Sequence, residues 1–296
     1  MTATTWPLTP DGRLLVLRTC DADMKAHGGF QWPTEGHVEA PDWDPDPNRD
    51  CGGGLHGLLW GCGNASLLAR SGKAARWMVV AVDPADVADI DQPGKIRFRA
   101  AEVVLVTADR AEAIAYLVAN GATGLPVVYG TATAGDYGTA TAGHDGTATA
   151  GHDGTATVGD YGTATAGDYG TATAGDYGTA TAGHDGTATA GHAGTATAGY
   201  AGTATAGYAG TATAGDAGTA TAGDDGTATA GYAGTATAGD DGTATAGHRG
   251  RLAITWWDHA ANRYRITVGY VGEDGIEADC AYRCDDDGRL VKADRS

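Results

Sequence analysis

Residues Gly130 to Gly162 read GTATAGDYGTATAGHDGTATAGHDGTATVGDYG. Six residues of every eight are the same and the last two vary. Glycines recur at 130, 138, 146 and onward to 250, so fifteen octads fill about 120 residues, and Val158 is the one break in the TATAG motif. A strict internal period of this kind indicates a solenoid or an array. Within an octad, Thr-Ala-Thr-Ala is a two-residue alternation, which puts threonines on one face of a strand and alanines on the other. Threonine is β-branched and suits a strand. The flanking glycines are expected to permit tight corners.

One octad is too short to close a coil. Two octads give a 16-residue coil with two short strands and two turns. About 7.5 such coils stacked at about 4.8 Å make a rod about 36 Å long. Alanine inside gives a thin, dry core that repeats indefinitely. Threonine inside would bury about thirty hydroxyls, each needing a partner. The expected fold is therefore all-β: a β-solenoid with alanine in and threonine out. It presents two flat faces, each with two threonine files about 7 Å apart. The variable pair falls at the corners.

The first threonines of the octads are Thr131, Thr139, Thr147, Thr155, Thr163, Thr171, Thr179, Thr187, Thr195, Thr203, Thr211, Thr219, Thr227, Thr235 and Thr243. The second are Thr133, Thr141, Thr149, Thr157, Thr165, Thr173, Thr181, Thr189, Thr197, Thr205, Thr213, Thr221, Thr229, Thr237 and Thr245. A flat array of methyls and hydroxyls without charge suits a ligand that is itself a lattice, and its spacings are close to those of oxygen atoms in ice. These thirty residues are the candidate ice-binding set. Low-complexity disorder is the competing reading of the composition. The unbroken phase of the repeat and the ordinary globular segments at both ends argue against it, since such ends cover the open edges of a solenoid.

The flanks divide the rest of the chain. Residues 1–120 pattern as an α+β domain, 121–129 as a junction, 130–250 as the solenoid and 251–296 as a small β cap. Strands are expected at Leu14–Leu17, Trp77–Val82, Lys95–Phe98 and Glu102–Val106. Asp109–Ala119 spaces its apolar residues as an amphipathic helix, stopped at Asn120-Gly121.

Glycine is 49 of 296 residues and nearly all of the excess lies in the repeat, so the average composition describes no real part of the molecule. The net charge of −18 argues against nucleic acid and against anionic lipid as partners. No run of about 18 apolar residues is present, so no transmembrane helix is expected. The start MTATTWPLTPDGRLLVLRTC lacks a basic leader and apolar core, so no standard signal peptide is read.

Five cysteines lie outside the repeat, and reduced thiols are the expectation. Cys51, His56 and Cys62 fit no standard zinc spacing and lack a fourth ligand. Cys280 and Cys284 lie four apart in a strand, too far to bond to each other when it is extended. Gly52–Gly54 precedes an apolar run without the lysine of a phosphate loop. His144, His152, His184, His192 and His248 read as solvated corner residues among aspartates. No metal and no cofactor are expected. No nucleophile, base and acid set is present, so no enzyme is expected.

The octad GYAGTATA resembles the repeat of bacterial ice nucleation proteins, whose octapeptides run Ala-Gly-Tyr-Gly-Ser-Thr-x-Thr. WDHAANRYRITVGYVGEDGIEAD (Trp257–Asp279), Tyr282 and Asp285–Gly288 are similar to that family's C-terminal cap. VLRTC (Val16–Cys20), Trp32-Pro33, GLHGLLWG (Gly54–Gly61), ARW (Ala75–Trp77), PGKIRF (Pro93–Phe98) and AEVV (Ala101–Val104) resemble its N-terminal domain. The likeness is read over nearly the whole chain.

It implies ice nucleation at the bacterial surface, with the N-terminal domain associated with the outer membrane and the solenoid templating ice through self-association. A cytoplasmic location remains the alternative, given the missing leader. In the family the repeat regions are much longer, a long linker precedes them, and the terminal coils exchange Thr for Arg and Lys. Here only Arg249 and Arg251 resemble that change. Family tyrosines form a regular ladder. Tyr137, Tyr161, Tyr169 and Tyr177 occupy one octad position here and Tyr200, Tyr208 and Tyr232 another, so the ladder is expected to be broken. These tyrosines and arginines are the candidate assembly contacts. The competing function is a structural or adhesive surface rod without ice activity. A third reading gives the N-terminal domain an activity of its own.

Overall fold

The computed structural model describes residues 6–46, 53–68, 75–89 and 94–293; Cys51, Gly52 and Pro93, named above, lie outside the described residues. The chain divides into two compact units, Met1–Gly130 and Thr131–Ser296.

The first unit is a seven-stranded antiparallel sheet. Its strands are β1 (Leu14–Cys20), β2 (Gly36–Glu39), β3 (Leu55–Leu59), β4 (Arg76–Val82), β5 (Val87–Asp89), β6 (Lys95–Phe98) and β7 (Ala100–Thr107), in the order β2-β7-β4-β1-β3-β6-β5. All seven residues of β1 are buried, as suits a central strand. The four strands expected from apolar runs are present; β2, β3 and β5 are additional. β3 was hidden by glycine. A Cβ on Gly57 would stand 2.4 Å from Val16 Cγ1 and 2.8 Å from Leu17 O, so the glycine that interrupts the apolar run LHGLL is what lets β3 lie against β1.

Helix α1 (Arg110–Leu117) packs Ala113, Ile114 and Leu117 inward, and the Asp109 carboxylate accepts the Ala111 N–H at 2.9 Å as its N-cap. The α-helix itself ends at Leu117, and Gly121 ends the helical run at the expected stop. After Leu117 the chain loosens into a wider turn, Val118–Ala122, where Gly121 takes φ 134°. Residues 121–129 lie within this unit: Val127 bridges to Cys62, and Val128 is fully buried.

The repeat of the second unit is built from fifteen strands, one per octad, from β8 (Thr131–Thr133) to β22 (Thr243–Ala246). Each pairs in parallel with the strand 16 residues away, threonine to threonine and alanine to alanine, as in Thr163↔Thr179 and Ala164↔Ala180. The coil is therefore two octads long. Even-numbered strands form one sheet and odd-numbered strands the other. The alanines of the TATA segments from Ala140 to Ala246, with Val158, are buried and make one continuous core.

The glycines do not serve the corners as expected. None in the octads has a positive φ. The left-handed residue is the second variable one, at all fifteen corners: Tyr137 has φ 57°, Ala201 53° and Arg249 61°. The glycines allow coils to approach. A Cβ on Gly170 would sit 2.8 Å from Ala166 Cβ and 2.9 Å from Gly154 O. Two opposite outcomes follow. Gly170→Ala and Gly186→Ala each lose about 1–3 kcal/mol through overpacking. Ala201→Gly, Ala209→Gly and Ala217→Gly each gain about 0.5–1 kcal/mol, because relief of the left-handed Cβ outweighs the added freedom of the unfolded chain. Thermal unfolding followed by circular dichroism checks both signs.

The C-terminal strands close the last coil. β23 (Arg251–Asp258) continues the odd-numbered sheet in parallel with β21 (Thr235–Ala238). β24 (Arg263–Tyr270) folds back antiparallel on β23. β25 (Ala281–Cys284) and β26 (Leu290–Lys292) extend the other sheet antiparallel. Leu252 and Ile254 enter the alanine core at 0% and 1% exposure, so large side chains fill the end where the alanine register stops.

Candidate functional site

The repeat threonines all stand on the outer faces. The first threonine of most octads is exposed and the second is half-buried from Thr165 onward. Strand register makes each file straight along its sheet, with about 4.8 Å between coils. Among the described residues, no repeat threonine hydroxyl bonds another protein group and none is buried without a partner. All thirty hydroxyls are thus left for water. The flat TATA segments carry no charge, and every ionised group of the repeat lies at a corner.

The corners are more ordered than a drifting sequence implies. At six of the seven octads whose first variable residue is Asp, its Oδ1 accepts the backbone N–H of the residue 16 further on. Asp136 takes His152 N–H at 2.9 Å, Asp168 takes His184 N–H at 2.8 Å, and Asp216 takes Tyr232 N–H at 2.8 Å. The second variable residue adds a backbone bond to the next coil, as from Ala201 N–H to Asp216 O at 2.8 Å. Aspartate therefore ties coil to coil, and the period of 16 was its only sequence signal.

The rings are not broken up by their change of octad position. The two variable residues flank one turn, so the second of one coil reaches the first of the next. On one corner His144, Tyr161, Tyr177, His192 and Tyr208 form a continuous column with centroids 5.0–5.4 Å apart. Tyr208 at its end bonds the Asp225 carboxylate, which raises the phenol pKa above its usual value. The other corner carries shorter runs, Tyr137–His152–Tyr169 and His184–Tyr200, and Arg249 lies 5.7 Å over Tyr232. Arg251 takes a threonine place in the file, opposite Thr235. His144 and His152 pair with the neighbouring Asp145 and Asp153 at 2.7 Å.

In the first unit, Cys62 is buried, which pushes its thiol up to about 12. His56 is lowered to about 4, first by burial and then by Lys95. Both stay neutral near pH 7. Gly53 has the Asp42 carbonyl against it, Gly54 has the Arg97 side chain, and Leu55–Leu59 is a strand, so Gly53 and Gly54 are sites of close packing. A cavity of about 800 Å³ opens in this unit beside Arg18, Trp32, His56 and Lys95, with the Arg18 guanidinium 3.6 Å over Trp32. Cys62, Cys280 and Cys284 carry free thiols. Among the described residues no group of three or more His, Cys, Asp or Glu is arranged to hold a metal ion, and no helix is long and apolar enough to cross a membrane.

Comparison with curated proteins finds several relatives, each matching about a third of the chain. A Pseudomonas syringae protein is 40% identical over 110 residues, 37% of this chain and 9% of its own. The chain resembles bacterial ice nucleation proteins. An ice nucleation protein of Pantoea ananas is 41% identical over 96 residues, 32% of this chain and 9% of its own. One of Xanthomonas campestris pv. translucens is 41% identical over 108 residues, 36% of this chain and 7% of its own. The measured likeness to ice nucleation proteins thus covers about a third of the chain, less than the scattered flank motifs imply. The chain spans under a tenth of the length of these relatives. No family model matches the chain. No solved structure matches it.

Proposed function

We propose that this chain is an ice-binding and ice-nucleating protein whose two threonine faces hold water in an ice-like lattice. One observation carries the reading: thirty threonine hydroxyls stand in straight, uncharged files and none is bonded within the protein. Methyls beside each hydroxyl restrict the first water layer while the hydroxyls anchor it. A fixed scaffold meets the incoming lattice without reorganising, the same advantage that preorganisation gives any binding surface. The resemblance to ice nucleation proteins supports the same reading, and it extends the proposal to the bacterial surface, with the first unit associated with the outer membrane.

Template area sets the freezing temperature in this account. An ice embryo must exceed a critical size before it grows, and that size rises as supercooling falls. About 7.5 coils at about 4.8 Å give a short template. A dispersed monomer then binds existing ice and nucleates only at deep supercooling, and alignment of several copies warms the event. The corner rings and Arg249 supply contacts for side-by-side association. Doubling the octads from fifteen to thirty, at equal molar concentration, is expected to move the droplet-freezing spectrum of size-selected monomer to warmer temperature. An unchanged spectrum, or a dispersed monomer that already freezes droplets within a few degrees of melting, overturns the account.

A further inference from the structure

β24 ends the nine-stranded sheet, with β23 on one side and no strand paired to the other among the described residues. Its outward side chains are all apolar: Tyr264, Ile266, Val268 and Tyr270, at 58%, 66%, 50% and 52% exposure. They pair across β23 with Trp257, Thr255, Ala253 and Arg251, the continuation of the threonine files. The strand itself is well held. Thr267 Oγ1 donates to Gly288 O at 2.7 Å, and Gly269 backs onto Ile276 and Leu290. A firm, apolar, unpaired edge is what soluble proteins ordinarily avoid.

We propose that β24 is a self-association edge, whose occupant is the β24 strand of a second copy in antiparallel, two-fold pairing centred on Thr267. Three features select that partner. First, the Val271 N–H donates to Gly250 O at 3.0 Å, so odd-numbered residues of β24 bond β23 and even-numbered ones face the open edge. Centring on Thr267 pairs even with even, the parity that edge hydrogen bonding requires. Second, the same register sets Tyr264 opposite Tyr270 and Ile266 opposite Val268, so all four apolar residues meet apolar partners. Third, charge is complementary end to end. Arg263 opens the strand, Glu273 and Asp274 follow its end, and among the described residues neither Arg263 nor Glu273 is ion-paired within the chain. Antiparallel pairing brings each basic start beside the other copy's acidic end. The two-fold axis runs through the sheet, so the threonine files of both copies come to one side of a sheet twice as long. That consequence rests on the ice reading; the pairing itself does not.

Sedimentation of the full chain tests it. Edge pairing alone buries less than a standard interface, so the dissociation constant is expected to be on the order of micromolar. At about 100 µM the chain is expected to sediment with twice its monomer mass. Ile266→Lys with Val268→Lys, both at exposed positions, should halve that mass while circular dichroism and melting stay unchanged. Arg263→Glu should weaken the dimer at least tenfold, and adding Glu273→Arg should restore it. A wild-type monomer at about 100 µM, a dimer that survives the double lysine variant, or the absence of rescue each overturns the proposal. Sedimentation reads mass whether or not the protein acts on ice, so failure of the ice reading leaves the result intact.

Discussion

Replacing Thr163, Thr179, Thr195 and Thr211 with lysine is expected to shift droplet freezing several degrees colder and to abolish adsorption of the protein to ice on that face. The four residues lie in one file on consecutive coils of the even-numbered sheet, paired Thr163↔Thr179, Thr179↔Thr195 and Thr195↔Thr211. Each is exposed, while Ala164, Ala180, Ala196 and Ala212 behind them are fully buried. Lysine therefore alters the water layer and not the core. It removes a hydroxyl and methyl from every lattice point for four coils and adds a mobile, hydrated charge. Neighbouring like charges cost roughly 0.2–1 kcal/mol per pair, small beside the ladder of backbone bonds. Far-ultraviolet circular dichroism should accordingly remain that of the parent. The matching set Thr171, Thr187, Thr203 and Thr219 tests the opposite sheet. If both sets together leave the freezing spectrum and ice adsorption untouched, threonine is only a convenient exposed strand residue and the function lies elsewhere.

Removal of residues 251–296 is expected to turn the solenoid into an aggregating species. Truncation uncovers the last alanine layer and two open parallel edges, at strand pairs now filled by β23 and β25. It also withdraws Leu252, Ile254 and Tyr282 from the core, at 0%, 1% and 3% exposure. These are the large side chains of a core otherwise made of alanine. Burying one methyl is worth only about 0.8 kcal/mol, so an uncapped terminal coil has little but its backbone ladder to hold it. Fraying should begin at β22 and spread toward the middle, visible as faster amide exchange there. The milder pair Leu252→Ala and Ile254→Ala separates packing from edge exposure, with about 2–5 kcal/mol lost per site. A soluble, monomeric truncation with an unchanged melting profile would contradict the capping role.

Much of the first unit could be read in part. Runs such as Lys95–Phe98 and Trp77–Val82 carry enough apolar residues to announce strands. β3 did not, because Gly57 is required by contact with Val16 and Leu17 across 40 residues of sequence. The stop of the helix at Asn120-Gly121 was legible, since Gly121 takes a positive φ there; the wide turn Val118–Ala122 around it was not.

In the second unit the sequence by itself determined the strand period, the closure of a coil by two octads, and which face is buried. These follow from a local rule, since alternation in a strand sorts side chains by parity and alanine without a polar atom goes inward. Tertiary structure decided what happens between coils. The left-handed corner residue, the Asp carboxylates on the next coil's amides, and the joining of rings from two octad positions into one column all depend on offsets of 15 to 17 residues across a turn. An eight-residue period does not specify those offsets, because it fixes where each strand repeats and not how side chains on a bend reach the coil beside them. The same holds for β24: its alternation is plain in RYRITVGY, but only the assembled sheet leaves that strand outermost, with its apolar side facing solvent.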